Sequence, residues 1–243
     1  MRDRLILLPG WGLGTAPLEP LAEALRGIDP QLRVEIEPLP PLGCADPAEW
    51  LDELDGNLAQ DAWLGGWSLG GMLAAELAAR RGEHCAGLLC LASNARFVAA
   101  SDWPSAMPAE TFAAFRQGCA DDARATLKRF ALLCSQGAGD PRGLSRLLLG
   151  AAPHDTPEVL LAGLDLLAAL DTRAALQAFV GPQLHLFAGA DALVPAAAAP
   201  ALLALLPDVE IGLIDAASHA FPLERPHEVA AAIQAFLHEA GDD

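Results

Sequence analysis

The stretch Ala62-Trp63-Leu64-Gly65-Gly66-Trp67-Ser68-Leu69-Gly70-Gly71-Met72-Leu73 runs an apolar segment into a helix-periodic one through a serine set among glycines. Ala62 to Trp67 reads as a strand, and Leu69, Met72, Leu73 and Leu77 form one stripe of a helix closed by Gly82. The junction is G-x-S-x-G. Between a strand and a helix this pattern predicts a sharp turn in which the serine takes a strained backbone conformation, so its neighbours must be small. Such a turn lifts Ser68 Oγ above the strand and points it at the first N–H groups of the following helix, where negative charge is favoured.

Outward from this turn the chain alternates. Leu5 to Leu8 is an apolar run ended by Pro9-Gly10. A helix follows with Leu18, Leu21 and Leu25 on one face, expected to stop at Gly27. Leu32, Val34 and Ile36 alternate with polar residues, as on a strand near a sheet edge, and a Pro-rich loop from Pro38 to Pro47 leads to a helix carrying Leu51, Leu54 and Leu58. Leu88 to Ala92 is again strand-like. This rhythm predicts an α/β fold with a mostly parallel central sheet flanked by helices. It lapses between about Val98 and Asp171, where Ala109 to Cys119, Ala123 to Leu133, Pro141 to Leu149 and Thr156 to Leu170 read as helices. Strand signals return at Leu184 to Ala188 and Glu210 to Ile214, before a last helix from about Pro226 to Ala240. The expected organisation is a core of residues 1–97 and 172–243 split by a helical lid, 98–171, over the carboxyl ends of the strands.

Composition excludes several classes. With 243 residues, 53% of them hydrophobic and 19% charged, the chain carries a large core and is not a disordered polyelectrolyte. The apolar stretch Ala196 to Leu206 is broken by Pro200 and falls short of the ~20 residues of a bilayer span, so no membrane association is expected. A net charge of −17 disfavours nucleic acid. Met1-Arg2-Asp3-Arg4 precedes too short an apolar run for a secretory signal, which predicts a cytoplasmic protein. Cys44, Cys85, Cys90, Cys119 and Cys134 are scattered without C-x-x-C pairing and read as buried thiols, with no metal expected.

A serine hydroxyl needs a base and an orienting acid, and the usual order on a sheet with this elbow is Ser, then Asp or Glu, then His, on loops after late strands. Asp191 lies in Gly189-Ala190-Asp191-Ala192-Leu193-Val194-Pro195, after the Leu184 strand, and His219 in Ser218-His219-Ala220, after the Glu210 strand. His84, His154, His227 and His238 fall at helix ends or in loops, and His185 inside a strand. Asp165, Asp171, Asp208 and Asp215 remain other carboxylates in reach, although Asp171 could close a helix and Asp215 could take a surface turn. Two backbone N–H groups should meet the oxyanion, one from Leu69 and one from Trp11 in Pro9-Gly10-Trp11-Gly12. Neither G-x-G-x-x-G nor a Walker motif is present, which disfavours nucleotides, and the chemistry calls for no cofactor.

On these residues the chain resembles the α/β-hydrolases, and among them the pimeloyl-[acyl-carrier protein] methyl ester esterases of biotin synthesis. The resemblance spans nearly the whole chain. Its marks are Leu8-Pro9-Gly10-Trp11-Gly12-Leu13, Gly66 to Gly71, Leu91-Ala92-Ser93, Trp103-Pro104, Lys128-Arg129-Phe130, Leu193-Val194-Pro195 beside Asp191, and Ser218-His219-Ala220. The family usually has His where this chain has Pro9, a departure outside the triad. The resemblance implies removal of a methyl group from a pimeloyl ester carried on acyl carrier protein, with docking through Arg129, Arg142 and Arg146; a further matching position is Ala125, with Arg124 beside it. It further implies an apolar channel between lid and core lined by Trp11, Trp67, Phe130, Ala131, Leu132, Leu133 and Cys134, with Ser68, Leu69 and His219 at its end.

Charge patterning agrees with an acidic partner. Arg116 to Arg146 holds six basic and three acidic residues, a local +3, against −20 over the rest of the chain. A basic patch orients an acidic carrier within a Debye length of ~8 Å despite overall repulsion. The expected protein is a monomeric carrier-linked methyl esterase. The alternatives are a broader carboxylesterase or lactonase on small soluble esters, and a non-catalytic binding protein on the same fold.

Overall fold

In the computed structural model, which describes residues 4–206 and 208–242, six strands form one sheet in the order β2-β1-β3-β4-β5-β6. The strands are β1 (Arg4–Leu8), β2 (Arg33–Ile36), β3 (Ala62–Trp67), β4 (Cys85–Leu91), β5 (Gln183–Ala188) and β6 (Glu210–Ile214). Every pairing is parallel. All residues of β3 and β4 are buried, as their unbroken apolar runs demand, whereas the edge strands β2 and β6 are only partly covered. Met1 to Asp3, the start of the segment read above for a signal, lie outside the described residues. Among the described residues no helix is long and apolar enough to cross a membrane.

The helices around this sheet are α1 (Glu19–Ile28), α2 (Pro47–Asn57), α3 (Leu69–Arg81), α8 (Arg173–Ala178), α9 (Ala198–Leu205), α10 (Phe221–Glu224) and α11 (Pro226–Asp242). The first packs against α11, while α3 packs against α2 and α8. The buried Arg81 ties the second of these contacts: its guanidinium pairs with Asp55 at 2.6 Å and takes the Ala59 and Leu58 carbonyls beyond the end of α2.

One expectation is corrected. Helix α1 passes through Gly27 to Ile28, because nothing crowds that exposed glycine and the chain turns extended only at Asp29. The apolar stretch around Pro200 contains α9, with the proline in its first turn, where a missing N–H removes no intrahelical bond.

Between β4 and β5 lie four further helices, α4 (Ala109–Asp121), α5 (Ala123–Ser135), α6 (Pro141–Ala151) and α7 (Pro157–Ala169). Asp122, Asp140 and Thr156 cap the last three through their side chains. The excursion leaves and returns at one neck. Thr172 donates to the Ala95 carbonyl through both N–H and Oγ1, Arg96 pairs with Asp171 at 3.3 Å, and Arg173 links Asp171 to Asp102. The Arg173 guanidinium, hydrogen-bonded to it, holds the Asp171 carboxyl below its ordinary range.

Candidate active site

Parallel strands deliver six chain ends to one edge of the sheet, and the residues singled out in the sequence follow four of them. After β3, Ser68 has φ 56° and ψ −116°, outside the usual regions for a side-chain-bearing residue. The glycines explain how the chain tolerates it. A Cβ on Gly66 would run into the backbone of Gly70 and Gly71, one on Gly70 into the carbonyls of Leu8 and Pro9, and one on Gly71 into Ser93 Oγ. Ser93 braces the turn by donating from Oγ to the Ser68 carbonyl at 2.6 Å, and Ser68 N–H donates to the Leu91 carbonyl. The N–H of Leu69 opens α3 and has no acceptor one turn back.

After β5, the side chain of Asp191 is almost wholly buried. Its Oδ1 accepts the N–H groups of Leu193 (2.8 Å) and Val194 (2.9 Å), which leaves Oδ2 facing His219 Nδ1 at 2.8 Å. With its proton held on Nδ1, the imidazole has a lone pair on Nε2. That nitrogen is buried and makes no hydrogen bond, so the Ser68 hydroxyl is not engaged with it in this conformation. Of the competing carboxylates, Asp165 pairs with Arg116, Asp171 sits at the neck, and neither Asp208 nor Asp215 is hydrogen-bonded to a histidine among the described residues.

The His219 loop is held by residues whose roles sequence reasoning missed. Trp67, expected to line the channel, is fully buried and donates its indole N–H to the His219 carbonyl at 2.9 Å. The Cys134 carbonyl accepts the Ala220 N–H at 3.1 Å. Burial, and the nearby Asp191, push the Cys134 thiol well above its ordinary range, which suits packing rather than chemistry. These contacts join residues more than 80 positions apart, so no local pattern announces them.

A cavity of about 110 Å³ opens between α4, α5 and α7 and the loop that carries Asp191. Phe112, Phe115, Phe130, Leu133, Leu164 and Leu193 line it, with Arg129 as its one charged neighbour. Of the block expected to line a channel, Phe130 and Leu133 do so. Ala131 and Cys134 are buried in packing, and Leu132 is 53% exposed on the outer side of α5. The helical period turns adjacent residues to different faces. Trp11 separates this cavity from a smaller one of about 40 Å³ beside Leu69 and Asp155. Its ring packs edge-on against Phe130 with centroids 4.9 Å apart, and its indole N–H donates to the Leu160 carbonyl on α7 at 2.8 Å.

The basic residues on the helical excursion divide in two. Arg116 is a fork on Asp165, from outside the segment used for the charge count, so it is not an available cation. Arg124, Lys128, Arg129, Arg142 and Arg146 are exposed and form no ion pair among the described residues. Among those residues no group of three or more His, Cys, Asp or Glu is placed to hold a metal ion.

Residues 5–232 match the family described as the alpha/beta hydrolase family. A pimeloyl-[acyl-carrier protein] methyl ester esterase of Aromatoleum aromaticum is 37% identical over 96% of this chain and 97% of its own length. The biotin biosynthesis bifunctional protein BioHC of Cellvibrio japonicus is also 37% identical, over 97% of this chain but 47% of its own length; with the similar protein of Teredinibacter turnerae, matched over 45%, the chain spans about half the length of these curated relatives. Among solved structures, an esterase from Exiguobacterium antarcticum superposes with a TM-score of 0.84 at 15% identity, covering 97% of this chain and 92% of its own. An enol-lactonase from Burkholderia xenovorans does so at 0.79 and 18%, covering 98% and 92%. At such identities these two speak for the fold alone.

Proposed function

The chain belongs to the alpha/beta hydrolase family, and from that premise we propose that it is a serine carboxylic ester hydrolase acting on the methyl ester of a pimeloyl group borne by acyl carrier protein. The observation that carries the hydrolytic reading is the buried Asp191–His219 pair, 2.8 Å apart, at the edge of the sheet where the Ser68 elbow ends its strand. Ser68 Oγ attacks the ester carbonyl as His219 Nε2 takes its proton, and Asp191 holds the imidazole in the tautomer that makes this possible. The N–H groups of Trp11 and Leu69 stabilise the oxyanion. His219 then gives its proton to the methoxy oxygen as the ester C–O bond breaks and methanol leaves; it next deprotonates a water that attacks the acyl-enzyme, the bond to Ser68 Oγ breaks with the proton returned to that oxygen, and a free carboxylate remains on the carried chain. No cofactor enters any step.

The substrate reading draws on the names of the relatives, on the apolar cavity behind Asp191, and on the unpaired arginines. In this reading residues 98–171 act as a lid: the acyl chain threads past Arg129 and Phe130, and Arg124, Arg142 and Arg146 face the acidic carrier. The protein acts as a cytoplasmic monomer. Because Arg129 also borders the cavity, the docking test uses Arg142 and Arg146 on α6. The double variant R142E/R146E should lower kcat/KM for the carrier-bound ester at least tenfold and leave a short p-nitrophenyl ester within twofold of wild type. Equal loss on both substrates, or on neither, contradicts carrier docking and favours an esterase of small soluble substrates.

A further inference from the structure

We propose that Glu224 is a positioning residue for His219, an assignment that rests on the hydrolase reading above. Glu224 ends the short helix α10, five residues beyond the histidine, and its side chain is only 11% exposed. Its Oε2 accepts both the Ser218 N–H (2.9 Å) and the Ser218 hydroxyl (2.7 Å). Ser218 is fully buried and directly precedes His219, so neither donor has access to water in place of the carboxylate. The other oxygen accepts the N–H of Gly139 at 3.3 Å, in the loop between α5 and α6.

Three contacts therefore pin consecutive residues. Glu224 holds Ser218, the Trp67 indole holds the His219 carbonyl, and the Cys134 carbonyl holds Ala220. Trp67 belongs to the strand that delivers the nucleophile and Cys134 to α5. Glu224 alone adds a link to the segment entering α6, since Gly139 directly precedes the capping residue Asp140 and the helix bearing Arg142 and Arg146. The carboxylate thus ties the surface assigned to the carrier to the backbone of the assigned base. Losing it frees two buried donors at Ser218 and allows the loop to relax, and a displacement of about 1 Å at the imidazole can cost ~100-fold in turnover.

The role depends on reach more than on charge, which makes it separable from a general structural effect. E224Q keeps an oxygen that reaches Ser218, while E224D keeps the charge but withdraws it by about 1.5 Å. Steady-state kinetics on p-nitrophenyl acetate, well below every variant's melting temperature, should give a kcat ten- to a hundredfold lower for E224A and E224D with KM within twofold. E224Q should recover to within threefold of wild type. A kcat for E224D within twofold of wild type, or a loss in E224Q as large as in E224D, overturns the assignment even if E224A fails to fold. Fluorophosphonate labelling of wild-type Ser68 is the control: its absence sinks the hydrolase reading itself, a result distinct from any ranking of the variants.

Discussion

Replacing Asp191 by Asn separates the chemical from the structural work of one side chain. The Leu193 and Val194 amides, 2.8 and 2.9 Å from Oδ1, can be answered only by an oxygen, so the Asn carbonyl takes that place and its NH₂ group faces His219 Nδ1. The imidazole must then carry its proton on Nε2 and cannot accept one from Ser68. A wrong tautomer of this kind costs ~10⁴ in kcat, or about 5.5 kcal/mol of transition-state stabilisation. Asp191→Ala loses the same function and strands two buried amides, at roughly 1 to 3 kcal/mol each. For a domain of this size that is a fall in melting temperature of roughly 5 to 20 °C. Kinetics on a p-nitrophenyl ester with calorimetry on both variants provides the assay. D191N retaining more than a tenth of wild-type kcat, or melting as low as D191A, would refute the reasoning.

Two further outcomes follow from packing and burial. Gly71→Ala drives a methyl group into Ser93 Oγ and the Gly66 carbonyl, and should cost roughly 1 to 3 kcal/mol in urea denaturation and depress kcat; an unchanged midpoint would mean the elbow is not close-packed. His185 lies inside β5, where burial pushes its pKa down to about 3, so below the unfolded value of ~6.5 the unfolded chain binds a proton that the native state refuses. Stability should therefore fall as pH drops from 6.5, by about 2 kcal/mol at pH 5, and His185→Gln should flatten that slope; an unaltered pH dependence in the variant would contradict it.

The sequence and the structure agree wherever the determining interactions are local. Strands β1, β3 and β4 are legible because burial on both faces leaves unbroken apolar runs, and the elbow because its glycines must lie within a few residues of Ser68. Gly27 misled because a glycine ends a helix only where the backbone turns, and here that turn comes at Asp29. The local charge of +3 includes Arg116, whose partner Asp165 lies 49 residues away and outside the counted segment. The same limit hid Trp67 and Cys134 as supports of the His219 loop. Nothing in the neighbourhood of either signals a partner brought there by the topology of the sheet, whereas Glu224 sits six residues from Ser218 and its contact depends on the turn into α10.

Mass spectrometry of pimeloyl-carrier methyl ester, before and after incubation with the wild-type chain and with Ser68→Ala, tests the central claim most directly. The account predicts that wild type converts the ester to the free acid, a mass loss of one methylene, while the thioester to the carrier stays intact and S68A leaves the substrate unchanged. An unaltered ester with active wild-type protein, or equal conversion by S68A, would contradict it.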